Sequence, residues 1–373
     1  MMDKPFLKNA WYVAAWSDEL GHAMIERIII NEPILLYRDS KNQAHALDNT
    51  CPHRYAPLHQ GKLVDDCITC PYHALRFNSE GKCIHNPNGN SLIPGKSDLR
   101  VYPIIEMHEM LWVWMGDPTL ADDTKIPDFS CHSDSELKMV KGTLDVEAYY
   151  ELISDNLMDL THATTVHEGV LGSEAIARGI NTVLQDGTTV WSNSWCPDGM
   201  APPAFDAAFD NYGKPVDLWT HMRWDAPAHM LLDVGVTPTG KPRAAGVWVY
   251  GTDILTPISN GLTRYYWAIA RAYRPDDPSQ DALWEKSIEI AFVGQDKPML
   301  EAQQRMLKIR GGIDIDDFEH ASINTDGGPV RVRHVLKKLI EQEGDGIVPD
   351  PRNPDLKSLR DSAGRADSVE AVC

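Results

Sequence analysis

The sequence predicts an α+β fold, with an all-β N-terminal domain followed by a mixed second domain. Short apolar and aromatic runs, separated by Asn, Asp, Pro and Gly turns, fill the first 118 residues, whereas helix-length segments begin only after about residue 141. At about 150 residues per domain, 373 residues suffice for two cores. We therefore predict domains at 1–118 and 141–345, a linker at 119–140, and a polar, disordered tail at 346–373.

The elements follow from local patterns of apolar residues. In the first domain we expect strands at 11–13, 27–30, 34–37 and 111–115. In the second domain we expect a helix at 147–162, strands at 189–195, 219–224, 229–236, 246–255 and 263–272, a long helix at 281–309, and a last helix at 330–342.

Charge and composition narrow the class of protein. The chain has 54 acidic and 35 basic residues, a formal net charge of −19, which argues against a nucleic-acid partner. Its longest apolar stretches are far shorter than the ~20 residues that span a bilayer, and its first residues lack the pattern of a secretion signal. We expect a cytoplasmic protein without a membrane partner.

Four of the seven cysteines, together with four histidines, lie between residues 51 and 85. An odd number of cysteines in a chain of this size does not indicate a disulfide framework. Cys51-x-His53 and Cys70-x2-His73 lie in Pro-marked turns, and each turn offers one thiol and one imidazole. This pattern favours a [2Fe–2S] cluster over a structural zinc, since zinc fingers usually pair Cys with Cys and His with His. A redox role for Cys67-x2-Cys70 is weaker outside a βαβ context.

The two loops Cys51-Pro52-His53-Arg54 and Cys70-Pro71-Tyr72-His73 resemble those of a Rieske iron–sulfur domain. The resemblance implies a [2Fe–2S] cluster with both thiolates on one iron and both imidazoles on the other. The first loop has no second cysteine, so the loop-to-loop disulfide of respiratory Rieske proteins cannot form. This is typical of the oxygenase or ferredoxin kind, with a potential near the negative end of the Rieske range, about −150 mV.

A second motif, Asp159-x2-His162-x4-His167, follows in the mixed domain. On a regular helix Asp159 and His162 share a face, but His162 and His167 point about 140° apart and could not easily bind one ion. We therefore expect the helix to end or bulge at the β-branched run 164–166.

Next to a Rieske domain, this motif resembles the mononuclear iron segment of Rieske non-heme iron oxygenases. The resemblance implies Fe(II) held by His162, His167 and a later carboxylate, with open positions for O2. Likeness points to Asp296 as that carboxylate, with Glu301 as a fallback; Asp296 could instead cap a helix.

The resemblance also implies that electrons cross a subunit boundary in a homotrimer. Asp159 would accept hydrogen bonds from His162 and from His73 of a neighbouring subunit, and Asn156 would lie near the iron. O2 is then the co-substrate, and NAD(P)H acts only through a ferredoxin or a ferredoxin reductase, since the chain has no flavin or nicotinamide motif. We expect a ferredoxin-docking patch on the cluster domain that comprises Arg54, Lys62, Arg76 and Lys82.

Longer stretches, among them 9–15, 85–87, 155–159 and 253–257, are similar to the oxygenase subunits that dealkylate aromatics, the vanillate and dicamba O-demethylases and the chloroacetanilide N-dealkylases. The implied reaction hydroxylates a carbon bound to N or O, and the product collapses to an aldehyde and an amide or phenol. Leu232, Asp253 and Ser287 occupy positions where methoxybenzoate demethylases hold a carboxylate, so we favour a neutral N-alkoxyalkyl anilide. Methoxybenzoate O-demethylation, arene hydroxylation, and a ligand-binding protein with structural zinc are the alternatives.

Overall fold

The computed structural model describes residues 4–344 of the chain. These residues form two compact units, Lys8–Asp123 and a second unit of residues 4–7 with 124–344. Within the described range, no helix combines the length and the apolar character needed to cross a membrane. The tail predicted at 346–373 lies outside the described residues.

The first unit is built from short antiparallel strands, as its apolar runs between turns predict. Its described strands are β1 (Trp11–Trp16), β2 (Ile25–Ile29), β3 (Glu32–Arg38), β4 (Ala44–Asp48), β5 (Lys62–Val64), β6 (Cys67–Thr69), β7 (Arg76–Phe77), β8 (Cys83–His85), β9 (Val101–Tyr102), β10 (Ile104–Met107) and β11 (Met110–Trp114). They pair in the orders β1-β11-β10, β2-β3-β4-β9 and β5-β6-β7-β8. Every residue of β1 and β11 is buried, so this pair forms much of the unit's core.

The segment predicted as a linker, 119–140, is divided between the units. Its part after residue 124 packs within the second unit, where the Phe129 ring is fully buried. His132 Nε2 lies 2.7 Å from Thr252 Oγ1 in a buried hydrogen bond. The polar composition of the segment gave no sign of these buried contacts. A few buried side chains suffice to fix a segment that has little regular structure.

The second unit contains a seven-stranded antiparallel sheet in its described residues. The strands are β12 (Lys138–Val146), β13 (Ile180–Asp186), β14 (Thr189–Met200), β15 (Pro215–Asp225), β16 (His229–Pro238), β17 (Val247–Ser259) and β18 (Leu262–Arg271), in the order β12-β18-β17-β16-β15-β14-β13. Strands β14 to β18 correspond to the predicted ones, while the edge strands β12 and β13 were not predicted. Their polar, half-exposed sequences lack the apolar alternation of the central strands.

Helices pack against one face of this sheet. They are α1 (Tyr150–Met158), α2 (Ala163–Val166), α3 (Pro203–Phe209), α4 (Pro278–Ile288), a π-helical segment (Glu289–Asp296), α5 (Lys297–Ile309) and α6 (Gly327–Gly344). The predicted long helix is therefore observed from 278 to 309, with a π-helical interruption that the sequence did not reveal. Its start is well defined, because Asp277 accepts a hydrogen bond from the Ser279 N–H (3.0 Å) and Pro278 opens the first turn.

The sheet and the long helix enclose an apolar core in a helix-grip arrangement. Apolar residues of β14 to β18 pack there with α3 and α4, for example Phe205 against Trp284 with ring centroids 5.1 Å apart. The antiparallel sheet with its helix is thus an α+β unit, and it follows the all-β unit in the chain, as predicted.

Candidate metal centres and substrate cavity

The two predicted cluster loops have the same backbone design. In the first, the Cys51 N–H donates to Ala56 O (2.9 Å) and the Tyr55 N–H donates to Cys51 O (2.9 Å). In the second, the Cys70 N–H donates to Leu75 O (2.8 Å) and the Ala74 N–H donates to Cys70 O (3.2 Å). Tyr55 and Ala74, at the same loop position, both have φ of 55°. Two loops of one geometry therefore present one Cys and one His each.

The thiols and imidazoles of these loops face different environments. Cys51 and Cys70 are buried in an apolar cluster, while His53 is exposed and His73 half-buried. The two imidazole rings are 4.5 Å apart, centroid to centroid, and nearly perpendicular. His73 Nδ1 is buried and has no hydrogen-bond partner among the described residues. A buried ring nitrogen without a partner, in a loop that also carries a buried thiol, fits a metal ligand, since such an unpaired polar atom is costly.

Burial also sets the protonation of the first thiol. Burial, together with the neighbouring Cys70, raises the pKa of Cys51 to about 11. The free thiol would therefore be protonated at neutral pH, and metal binding would displace its proton. The donor set of two soft thiolates and two imidazoles fits the cluster that the motif predicts.

The second site brings His162, His167 and Asp296 together. Their ligand atoms all lie within 4.8 Å of one another. The two Nε2 atoms are 3.2 Å apart, and Asp296 oxygens lie 3.7 Å from His162 Nε2 and 3.3 Å from His167 Nε2. The carboxylate is 4 % exposed. Two imidazoles and one carboxylate converging on a single point fit one divalent metal ion with open coordination positions.

The local fold that positions the histidines differs from the predicted helix at 147–162. Helix α1 ends at Met158, so Asp159 and His162 do not share a regular helix face. The Asp159 carboxylate instead accepts hydrogen bonds from the N–H and the hydroxyl of Thr161 (3.0 and 2.7 Å). This turn competes with the helix for backbone hydrogen bonds, as aspartate side chains often do.

The predicted break between the histidines is also corrected. The four-residue helix α2 occupies the interval between them, and the chain breaks before His162 instead. His162 precedes the helix and His167 follows it, so both rings can turn toward one point. The β-branched run therefore forms a short helix, because packing outweighs weak propensity.

Asp296 comes from the π-helical segment, and it does not cap a helix. Its backbone is helical and its side chain makes no capping hydrogen bond. Glu301, the alternative carboxylate, lies elsewhere: it pairs with Lys297 Nζ at 3.0 Å and accepts from the Glu147 N–H at 3.1 Å. Asn156 Nδ2 donates to Asp296 Oδ1 at 3.3 Å, so this amide adjoins the site, as the sequence suggested.

The two imidazoles differ in their pKa directions. Burial lowers the pKa of His162. Burial also lowers the pKa of His167, but the hydrogen bond and charge of Asp296 outweigh it, so the net pKa is raised. The His162 ring is thus held neutral, the form in which an imidazole binds metal.

Asp159 contacts the His162 ring through its backbone carbonyl group and not through its carboxylate. His162 Nδ1 contacts the carbonyl oxygen of Asp159, whereas the carboxylate is held by Thr161. The predicted hydrogen bond from a neighbouring subunit's His73 to the carboxylate stays a prediction.

A cavity of about 120 Å³ adjoins the three ligands. It is lined by Leu157, Leu160, His162, Ala163, His167, Leu171, Ile176, Pro202, Phe205, Leu218, Thr220, Met222, Leu232, Val234, Val249, Gly251, Asp253, Ile269, Trp284, Ile288, Phe292 and Asp296. An apolar cavity of ~150 Å³ can hold a benzene molecule, so this space is on the scale of a single aromatic ring. Apart from the metal ligands, the polar members of this wall are Thr220 and Asp253.

The three predicted pocket residues have different fates. Leu232 and Asp253 lie on the cavity wall, but Ser287 is not among its lining residues. The Ser287 hydroxyl donates to Leu283 O (2.7 Å), one turn earlier in α4. A hydroxyl used within its own helix does not face a substrate.

Asp253 forms a pair that the sequence analysis missed. The Tyr265 hydroxyl donates to Asp253 Oδ1, and both residues are buried. Burial raises the pKa of Asp253 to about 7; the hydrogen bond from Tyr265 lowers it and the charge of Asp296 raises it. A signal was present, since Asp253 and Tyr265 lie on predicted neighbouring strands, but the register was needed to pair them. Gln295, which contacts His167, was likewise overlooked although it precedes Asp296 directly.

Comparison with known protein families supports both the cluster site and the mononuclear metal site. Residues 10–103 match the family described as Rieske [2Fe-2S] domain, and residues 146–342 match that described as vanillate O-demethylase oxygenase C-terminal domain. Such a pair of domains defines a Rieske non-heme iron oxygenase. The chain belongs to the branch of this class that contains the vanillate O-demethylase oxygenases, and it is an enzyme with a [2Fe–2S] Rieske cluster and a mononuclear iron.

Similar proteins carry names of dealkylating enzymes. The chain is 37% identical to the chloroacetanilide N-alkylformylase oxygenase component of Rhizorhabdus wittichii, over 91% of this chain and 97% of the relative. It is 35% identical to the dicamba O-demethylase oxygenase component of Stenotrophomonas maltophilia, over 91% and 99%. A crystal structure of dicamba monooxygenase bound to 3,6-dichlorosalicylic acid matches with a TM-score of 0.86 at 35% identity, over 91% of this chain and 99% of that one. The chain is thus an oxygenase component of the dealkylating type, and a ligand-binding protein with structural zinc is set aside.

Proposed function

We propose that the protein catalyses O2-dependent oxidative dealkylation of a neutral substituted aromatic, with an N-alkoxyalkyl chloroacetanilide as the best single candidate. The observation that carries the proposal is the wall of the cavity beside His162 and His167. That wall is apolar on its helix and sheet sides, and its acidic member, Asp253, offers a substrate carboxylate no positive charge and repels it when ionised. The similarity to a chloroacetanilide N-alkylformylase component supports the same choice.

The reaction requires that one oxygen atom enter a C–H bond next to nitrogen or oxygen. The other oxygen atom leaves as water, and two electrons and two protons complete the balance. The hydroxylated carbon then releases its heteroatom, which gives an aldehyde and an amide or a phenol. Iron bound at the second site supplies the activation of O2 for this chemistry.

The chain's own residues hold and orient the reactants. His162, His167 and Asp296 would hold the iron, and the Asn156 amide would fix one oxygen of the carboxylate. The ring of the substrate would lie against apolar residues such as Phe205 and Leu232, which exclude water from the reacting carbon.

Electrons would come from a cluster held by Cys51, His53, Cys70 and His73. We propose that the accepting iron belongs to a neighbouring subunit of a homotrimer, with Asp159 between the two metals. In support, an open cavity of about 690 Å³ in the second unit reaches Asp159 and His162 and gives a neighbouring chain access to them.

A ferredoxin or ferredoxin reductase that draws on NAD(P)H would reduce the cluster. Two residues of the predicted docking patch are neutralised within the chain: Arg76 pairs with Asp65 (3.7 Å) and Lys82 with Asp98 (2.7 Å). We therefore narrow the proposed patch to Arg54 and Lys62, which are exposed.

Competing turnover of an alachlor-like amide and of vanillate-like or dicamba-like acids tests the substrate class. We expect dealkylation of the amide, measured as aldehyde released and one oxygen atom added per turnover. Asp253→Asn should shift the preference toward the acids because it removes a carboxyl group that repels them when ionised. Ser287→Ala is the matched control, since its hydroxyl is bonded within α4, and its preference should be unchanged.

Two other reactions would replace the proposal. Preference for the acids by the unaltered enzyme would assign O-demethylation of a methoxybenzoate. A product with two added oxygen atoms would assign arene dihydroxylation, and a ring hydroxyl without released aldehyde would assign arene monooxygenation.

A further inference from the structure

Gln295 contacts the imidazole of His167 on the side away from the metal position. Its Oε1 lies 3.1 Å from His167 Nδ1, and its Nε2 donates to the backbone carbonyl oxygen of Glu168 at 3.3 Å. The residue is half-buried. One amide side chain therefore bridges the ring of His167 and the backbone of the residue that follows it.

The donor and acceptor roles of the neighbouring groups fix the orientation of the Gln295 amide. The Glu168 carbonyl oxygen can only accept, so the NH2 end of Gln295 must face it. The Oε1 end then faces His167 Nδ1, and an amide oxygen can only accept as well. His167 Nδ1 must therefore carry a proton, and Nε2 is the ring nitrogen left to bind a metal.

His162 Nδ1 also faces a group that can only accept a hydrogen bond. Its Nδ1 contacts the backbone carbonyl oxygen of Asp159, which again can only accept. Both rings are thus protonated at Nδ1, and their Nε2 atoms face each other at a separation of 3.2 Å. Two ring nitrogens that converge beside a carboxylate fit the donor set of one divalent cation.

The π-helical segment places two consecutive residues on the two nitrogens of one ring. Asp296 Oδ2 lies 3.3 Å from His167 Nε2, while Gln295 Oε1 lies 3.1 Å from Nδ1 of the same ring. π-helical turns are rare and cluster at functional sites. Here the segment delivers a metal ligand and a ring-orienting amide from adjacent positions.

We propose that Gln295 is a positioning residue that holds His167 as the Nδ1–H tautomer and aims its Nε2 at the metal. The inference rests on the metal role proposed for His162, His167 and Asp296, and it is independent of the substrate. Removing the group that hydrogen-bonds to the outer nitrogen of a metal-binding histidine typically lowers metal affinity about 10- to 100-fold.

The test uses the cluster-containing protein loaded with Co(II) at the mononuclear site under anaerobic conditions. In the unaltered protein we expect two exchangeable, hyperfine-shifted imidazole N–H signals in the proton NMR spectrum. Gln295→Met should lose one of them by exchange with water, and its Co(II) and Fe(II) affinities, from competition with a chelator, should fall about 10- to 100-fold. Gln295→Glu retains an acceptor for Nδ1–H and should keep the second signal.

Gln304 provides the matched control. It forms a similar bridge, accepting from the Tyr149 N–H (2.6 Å) and donating to Ile313 O (2.8 Å), but contacts neither histidine. Gln304→Met should lower the melting temperature yet keep both signals and the metal affinity. Unchanged affinity and two signals in Gln295→Met would overturn the proposal, as would equal affinity losses in Gln295→Met and Gln304→Met. Failure to dealkylate neutral amides would overturn the substrate assignment alone, because these measurements contain no substrate.

Discussion

The two metal sites of this chain are built in contrasting ways. In the first unit, each Cys and His pair lies in a short loop closed by its own backbone hydrogen bonds. In the second unit, His162 and His167 flank the short helix α2, and Asp296 arrives from the long helix far along the sequence. The first site thus depends on local turns, whereas the second depends on the packing of a whole domain. Changes at the two sites should therefore be separable.

The largest effect should come from removing one ligand at either site. Asp296→Ala should abolish binding of the mononuclear iron and lower turnover about 1000-fold or more, because the metal contributes several kcal/mol to the reaction. Its cluster spectrum should stay intact. Cys70→Ser should instead lose the cluster and keep the mononuclear iron. Iron and sulfide analysis with visible spectra of both variants checks this, and loss of both metals in either variant would contradict the separation.

A second test concerns the buried carboxyl group of Asp253 in the cavity wall. Burial raises the pKa of Asp253 from its ordinary 3.8 to about 7. A raised carboxyl pKa means that this group's contribution to stability falls as pH rises from about 4 to 7. Asp253→Asn, which can still accept from Tyr265, removes this loss, so its advantage in free energy of unfolding should grow by on the order of 4 kcal/mol over that range.

Denaturant unfolding of metal-free protein at several pH values measures this difference. Ser287→Ala serves as the control, because it titrates nothing and should show a constant difference from the parent. A difference between Asp253→Asn and the parent that does not vary with pH would contradict the raised pKa.

Asp159→Asn should have an intermediate effect that involves both sites. We expect turnover to fall about 10- to 100-fold while both metals remain bound, because the substitution alters only the group proposed between the metals. Rapid mixing of the reduced protein with O2 and substrate, followed by the cluster absorbance, measures the slowed electron transfer. Full turnover speed in this variant would remove Asp159 from the proposed electron path.

The smallest effect should come from the sheet wall of the cavity. A Cβ added at Gly251 would lie 3.2 Å from the Cβ of Leu232, so Gly251→Ala narrows the cavity by a small amount. Turnover of the bulkiest amides should fall several-fold, about 1 kcal/mol, while that of small anilides stays the same. Gly261→Ala, near the flexible end of Lys308, is the control and should alter neither. Equal loss for large and small substrates would contradict the assignment of this wall.

The contrast between the sites also explains what the sequence could predict. The two Cys and His pairs proposed to hold the cluster could be recognised in the sequence because each pair is set by residues a few positions apart. The second site was predicted through its resemblance to a family, but its local structure was not. The Asp159–Thr161 turn ended α1 early, and the π-helical segment before Lys297 has no periodic signature that separates it from an α-helix.

Side-chain contacts between residues far apart in the sequence could not be predicted, for a related reason. Asp253 with Tyr265, and Gln295 with His167, depend on strand register and helix packing rather than on spacing. Ser287 was expected on the cavity wall, yet its own helix uses its hydroxyl. The segment after residue 124 was expected to be a linker because its composition is polar, yet Phe129 fixes it in the core.

The continuity of the long helix has a practical consequence for redesign. Phe292 forms part of the cavity wall, and its carbonyl oxygen accepts the hydrogen bond of the Lys297 N–H, so this turn encloses Asp296. A substitution that reshapes the helical side would shift the carboxylate along with the wall. Leu232 and Gly251 face the cavity from a separate strand layer. Libraries intended to accept new substrates should therefore randomise the strand layer first and keep residues 289–297 fixed.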